Sequence, residues 1–197
     1  MGSNFAPAAR RHDAAAGFTL LELLVVVAII GVMAAIAVPI TDAFVRSTRA
    51  DSAVSAATSA IDIAHDRAVA ERRNFVLTPI GSNRIQLGRQ EINAAGTVIS
   101  TTPVETFVLE GGQTFFRFSG MPDTPDAFGG ASAWTFSGAS PFMFTSDGSL
   151  VDSAGDVVNG TIYFGIAGQP LSARAVTIFG VTGLTRNWKW RGNQWME

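Results

Sequence analysis

The side chains of this sequence that could do chemistry are few and scattered. His12 and His65 are the whole imidazole complement and there is no cysteine, so thiol nucleophiles, Cys-ligated zinc and disulfide scaffolds drop out together. Neither histidine has a triad partner at an identifiable spacing, and no P-loop, dinucleotide fingerprint or His-Glu-x-x-His occurs. Asp147, Asp152 and Asp156 invite a Ca²⁺ reading. Their spacing lacks the alternating acids, central glycine and terminal glutamate of an EF-hand loop, so turn formation is expected of them instead. No catalytic residue, cofactor or metal site is assigned. The group with a chemical problem to solve is Glu22, a lone acid inside "GFTLLELLVVVAIIGVMAAIAVP".

From Phe18 to Val38 run 21 residues without Lys, Arg or Pro, and at about 1.5 Å per residue they reach roughly 30 Å, the hydrocarbon thickness of a bilayer. An acid at the centre of such a helix costs about 2.5 to 3.5 kcal/mol, and no base lies within a turn of it. A plain secretory signal is the alternative, with Arg10 and Arg11 as its basic region and Ala35-Ile36-Ala37 as a small-residue cleavage site. The apolar run is longer than the usual 7 to 15 residues of a signal, and a signal gains nothing from an acid. With 14 Lys+Arg against 16 Asp+Glu, the chain is not a bulk electrostatic binder of nucleic acid. Arg10 and Arg11 before the span are balanced by Arg46 and Arg49 after it, so charge alone leaves topology open.

Gly17 followed by Phe18-Thr19-Leu20-Leu21-Glu22-Leu23-Leu24-Val25, then Gly31 and Pro39, resembles the class III leader and N-terminal helix of type IV pilins and type II secretion pseudopilins. The resemblance implies a leader over 1–17, cut between Gly17 and Phe18 by a prepilin peptidase that also N-methylates Phe18. It implies a cytoplasmic N-terminus, a single inner-membrane pass and a periplasmic C-terminal domain. Cleavage would create an ammonium at Phe18, and in a packed filament Glu22 of one subunit would meet that charge on its neighbour, so that two costly buried charges become a pair. Removing one partner of such a pair costs about 3 to 5 kcal/mol.

Beyond the span, 39–73 is rich in Ala and charge, with Val54, Ala57, Ile61, Ala64 and Ala68 spaced as one helical stripe. Pro39 removes a backbone donor and Gly31 weakens the same stretch, so a kink is expected between them. The spacing predicts a helix from Phe18 to about Arg73, with Arg67, Glu71, Arg72 and Arg73 on a solvated face. "DRAVAERRNFVL" is similar to the helix end of the GspH/FimT branch of these proteins. From Asn74 the pattern turns to short β-rich runs: "FVLTPI", "RIQLGRQ", "ETFVL", "TFFRFS", "FMFT", "TIYFGI", "RAVTIFGV" and "LTRNWKWR". "IGSN" and "EGGQ" suit hairpins, and 120–141 reads as a mobile surface loop. The expected fold is α+β and pilin-like. Its long N-terminal helix is transmembrane over 18–38 and amphipathic over 39–73, and packs on an antiparallel two-sheet domain over 74–197.

The tail "GLTRNWKWRGNQWME" has two readings. In a strand, Trp188 and Trp190 share a face and seal the core, while Asn187, Lys189 and Arg191 face water. Alternatively Arg186, Lys189 and Arg191 contact DNA phosphates and an exposed Trp195 stacks a base; this is not favoured, because Gly183 is followed by Leu184 where the FimT-like pattern has Arg. The expectation is a minor pseudopilin of a type II secretion system, GspH-like, in a filament with other pilins or pseudopilins. The alternative is a FimT/FimU-like minor pilin of a type IV pilus that binds DNA during uptake.

Overall fold

The computed structural model describes residues 18–93 and 97–197, leaving aside the side chains of 36–44 and of Arg46. The expected leader, with Gly17, lies outside the described residues. The chain divides into two compact units, Met1–Asp42 and Ala43–Glu197.

In the first unit helix α1 (Leu20–Glu71) begins, and it continues through Gly31 and Pro39. Among the described residues no helix is long and apolar enough to cross a membrane. Within the apolar stretch that opens α1 the described side chains run to Ala35, whereas the expected span continues through 36–38.

In the second unit the predicted stripe is buried: Ala57, Ile61, Ala64 and Ala68 are fully enclosed and Val54 nearly so, with Ala50, Ala53 and Ala60 beside them. Small alanines bring the helix backbone close to a sheet and leave the larger side chains opposite to fill the interface. The helix stops two residues before Arg73. Arg72 adopts φ 51° and the Arg73 N–H reaches back to the Ala68 carbonyl at 3.3 Å, a Schellman stop with arginine where glycine is usual. The charged face is paired, Arg67 to Glu105 at 3.1 Å and Glu71 to Arg89 at 3.3 Å.

The strands are β1 (Phe75–Ile80), β2 (Arg84–Ile92), β3 (Val98–Val108), β4 (Thr114–Phe115), β5 (Trp134–Phe136), β6 (Phe142–Phe144), β7 (Leu150–Val151), β8 (Gly160–Ile166), β9 (Gln169–Ile178), β10 (Thr185–Trp190) and β11 (Trp195–Met196). They form two antiparallel sheets, ordered β3-β2-β1-β6-β7 and β11-β10-β9-β8-β4, with β5 beside β4 along the same edge of β8. The main core joins the helix stripe to Phe75, Leu77, Ile85 and Leu87 of one sheet and to Ile162, Phe164, Val176 and Ile178 of the other. The expected α+β architecture, one long helix on two antiparallel sheets, is the observed one.

Three local expectations are corrected. "IGSN" closes the β1–β2 hairpin, but "EGGQ" joins β3 to β4 in different sheets. Its Gly111, at φ 71°, lies so close to α1 that a Cβ there would sit 2.5 Å from the Arg49 Cβ. The glycines serve a crossover under the helix. The stretch 120–141 is no free loop either, since it contributes β5 and buries Thr124 and Phe136. Finally, Trp188 and Trp190 are buried, but in a second cluster with Tyr163, Ala173, Ala175 and Trp195. That cluster lies on the face of the β8–β9 sheet turned away from the helix. The other face of β10 meets the helix rather than water: Thr58 Oγ1 bonds Asn187 Oδ1 at 3.0 Å, and Lys189 Nζ reaches Ser47 Oγ at 2.9 Å. With both faces covered, β8 and β9 read as near-continuous buried runs.

Candidate functional site

The N-terminal segment is built from its cap upward. Thr19 is the N-cap of α1: its Oγ1 accepts the Glu22 N–H at 3.1 Å and its carbonyl accepts the Leu23 N–H at 3.1 Å. Thr19 with an acid three residues on is the capping-box spacing, a signal legible in the sequence that hydropathy conceals. Glu22 lies in the first turn, where the helix dipole favours a negative charge. Among the described residues its carboxylate has no hydrogen-bond or ion-pair partner. Phe18 is 81% exposed, and the apolar side chains that follow, from Leu20 to Met33, are exposed all round the helix. A helix surface that is apolar on every side must be buried by lipid or by other chains.

The residues proposed for DNA contact are placed differently from an open binding surface. Trp195 is buried, its Nε1 donating to the Pro122 carbonyl at 3.0 Å, so the exposed stacking ring expected from the tail is not there. Arg186 pairs with Asp126 at 2.9 Å and lies over the Phe179 ring. Lys189 pairs with Asp51 at 3.3 Å. Arg191 is exposed, and among the described residues its side chain has no partner.

Sequence reading missed Arg174. It is 1% exposed and on the helix-facing parity of β9, two and four residues from Val176 and Ile178. Its Nε donates to Asp51 at 2.7 Å, Nη1 to the Leu171 and Ala173 carbonyls, and Nη2 to Ser47. Partial burial raises the Asp51 carboxyl, and hydrogen bonds and charge from Arg174 and then Lys189 more than offset it, so its pKa falls below the ordinary value. This cluster ties β9 and β10 to α1.

A second polar centre holds the segment over the outer cluster. The Asp126 side chain is 7% exposed and accepts from Thr177 Oγ1 at 2.6 Å and Trp188 Nε1 at 3.2 Å as well as from Arg186. Asp123 accepts from the Tyr163 hydroxyl and from the Gly129 N–H. Burial, then Asp123, pushes the Tyr163 hydroxyl well above its usual range.

The three acids considered for Ca²⁺ do turn work. Asp147 accepts from the Thr145 hydroxyl and from Ser149 Oγ at 2.7 Å, which lowers it to about 2. Asp152 is raised by burial, but the N–H groups of Ala139, Ala154 and Asp156 bring it below the ordinary value. Among the described residues no three His, Cys, Asp or Glu side chains could hold a metal ion. His65 packs edge-on against Phe144 at 5.6 Å, and the turns at Gly148 and Gly183 close over it so tightly that a Cβ at either would strike the ring.

Comparison with known proteins bears on the first of these regions. The family model for the prokaryotic N-terminal methylation motif matches residues 13–38. Two fimbrial proteins of Pseudomonas aeruginosa are each 45% identical over 60 residues, 30% of this chain and 38% of theirs. The type IV major alpha-pilin of Moraxella bovis is 33% identical over 94 residues, 46% of this chain and 54% of its own. The chain thus spans about half, or less, of the length of the curated relatives it matches. Among solved structures, the type IV minor pilin FimU of P. aeruginosa strain PAO1 aligns with a TM-score of 0.46 at 14% identity, over 78% of this chain and 97% of that one; so distant a likeness carries no weight for function.

Proposed function

We propose, from the premise that this chain is type IV pilin-like, that it is a membrane-anchored structural subunit of a pilus-like filament, with no catalytic role. On this reading 1–17 is a leader removed between Gly17 and Phe18, Phe18 is N-methylated by the same inner-membrane enzyme, and 18–38 anchors the subunit until it is extracted into the filament. The pairs formed there are between Glu22 of one subunit and the Phe18 ammonium of another. Gly31 and Pro39 supply the flexure that lets neighbouring helices pack. The observation that carries the reading is an acid with no described partner in the first turn of a helix whose opening stretch, Leu20 to Met33, is apolar all round.

Two filaments fit such a subunit. The first is the type II secretion pseudopilus, with this chain as a GspH-like minor component. The second is a type IV pilus, favoured by the fact that the matching relatives are fimbrial proteins and a type IV pilin. Mass analysis of native material tests the shared premise: the mature chain should begin at Phe18 carrying one added methyl, and an intact Met1 or a start at Val38 overturns it. Deleting the gene and measuring exoprotein release beside twitching then separates the two filaments.

A further inference from the structure

We infer that the groove beside β5 binds an extended, uncharged peptide segment of a partner protein by strand addition. The groove has a volume of about 800 Å³ and opens between the end of β1 and β5. Its floor is aromatic, with Phe136 stacked on Phe142 at 4.3 Å and Trp134 beside them. None of its lining residues is charged, so a phosphate backbone or a charged ligand finds no counter-ion there.

Backbone alternation decides what the walls offer. Bonds from the Tyr163 N–H to the Ala133 carbonyl at 2.7 Å and from the Ser137 N–H to the Asn159 carbonyl at 3.1 Å fix the register beside β8. Residues 133, 135 and 137 therefore address β8, and Trp134 and Phe136 turn their backbone groups toward the groove. Ser132 Oγ takes the Trp134 N–H at 3.3 Å. The Phe136 N–H, its carbonyl and the Trp134 carbonyl are left without a partner among the described residues. On the opposite wall, the bond from the Gln90 N–H to the Asn74 carbonyl directs Phe75, Leu77 and Pro79 away from β2. β6 meets Phe75 and Leu77 and ends there, which leaves the Pro79 carbonyl open, and proline has no N–H to add.

One wall thus presents a donor and acceptors, the other an acceptor alone, which suits an extended chain whose N–H and C=O groups alternate side to side. Edges that must stay single usually carry Lys, another charge or Pro. β5, Trp134-Thr135-Phe136, carries none of these.

The inference does not rest on the filament reading, because peptide binding and subunit incorporation are measured separately. The test uses the ¹⁵N-labelled full chain in detergent micelles. Three probes are compared: the capped hexapeptide acetyl-Thr-Val-Thr-Val-Thr-Val-amide, the same peptide N-methylated at alternate residues, and cellohexaose. The plain peptide should slow exchange of the Phe136 amide by about tenfold, and N-methylation should abolish that protection. Thr78→Asp and Ser132→Asp alter exposed rim positions; in variants whose melting is unchanged, peptide affinity should fall by about tenfold. Unaltered Phe136 exchange at about 2 mM peptide, equal binding of the N-methylated peptide, or protection by cellohexaose alone overturns the inference.

Discussion

Glu22 and Asp51 are acids on one helix, and their surroundings differ in every respect that matters. Asp51 lies where the helix carries a periodic stripe, with Ala50, Ala53 and Val54 buried beside it, and two cations from β9 and β10 converge on its oxygens. Glu22 lies where leucines, valines and isoleucines are exposed on all sides, and no described group answers its charge. A stripe of period near 3.6 means that the covering surface belongs to the same chain. Apolar residues on every side single out no face for the folded domain to cover, and on the proposed reading lipid or neighbouring subunits cover them. The same contrast applies to charge: the folded domain satisfies Asp51 internally, whereas no described group answers Glu22, and the filament proposed above would supply its partner.

Substituting each acid breaks this comparison if it is wrong. Glu22→Ala should leave the thermal melting of the domain unchanged and membrane insertion intact, while subunit incorporation into filaments, measured by immunoblot of sheared material, falls about 10²-fold or more. That is the scale of a buried ion pair of about 3 to 5 kcal/mol losing one member. Normal incorporation would show that Glu22 is only a helix-start residue held by the dipole. Arg174→Ala should do the reverse. It strands two strand carbonyls and leaves a cavity where a fully buried side chain stood, at about 3 kcal/mol of domain stability by denaturant melting. Arg174→Met, which keeps the volume, should recover part of it.

A smaller effect is expected from Asp126→Ala. Thr177 Oγ1 and Arg186 lose their acceptor and the Trp188 indole keeps only Thr177 Oγ1 at 3.1 Å, at a cost of about 2 kcal/mol, and exchange should speed in 116–130 and at the Trp188 indole while the α1 stripe stays protected. Uniform destabilisation of the helix would show that the outer cluster and the main core are a single cooperative layer.

These centres differ in how far the sequence announced them. The stripe through Val54, Ala57, Ile61, Ala64 and Ala68 was legible because periodicity is a property of neighbours in the chain. β1, β2 and β8 were legible as short β-branched and aromatic runs. Asp126 was not, since an acid in a Gly-, Ser- and Pro-rich stretch resembles a solvated loop, and its partners lie 51 to 62 residues away. "EGGQ" announced its backbone angles but not which strand comes next to it in space. Alternation in the tail put Trp188 opposite Lys189 correctly, and yet nothing local says which face of β10 the helix will cover. The one long-range relation the sequence did carry was negative: an acid with nothing near it.

The mildest perturbation is pH, and its sign follows from the shifts. Asp51, Asp147 and Asp152 lie below their ordinary values when folded, so each contributes stability that is complete above an unfolded pKa of about 3.9 and is lost as pH falls through the folded one. For Asp147 the loss runs down to about 2. Asp62 opposes them, because burial first and then Asp66 raise it; it favours the folded state below its unfolded pKa and loses that contribution as pH rises past the folded one. Tyr163, also raised, gives the same sign at the alkaline end, where stability should decline once pH exceeds about 10. Melting temperature against pH should therefore fall on both limbs, and Asp51→Asn should flatten the acid limb without touching the alkaline one. If Asp51→Asn left the acid limb as steep as before, the cations around Asp51 would not be what keeps it ionised, and its contrast with Glu22 would rest on packing alone.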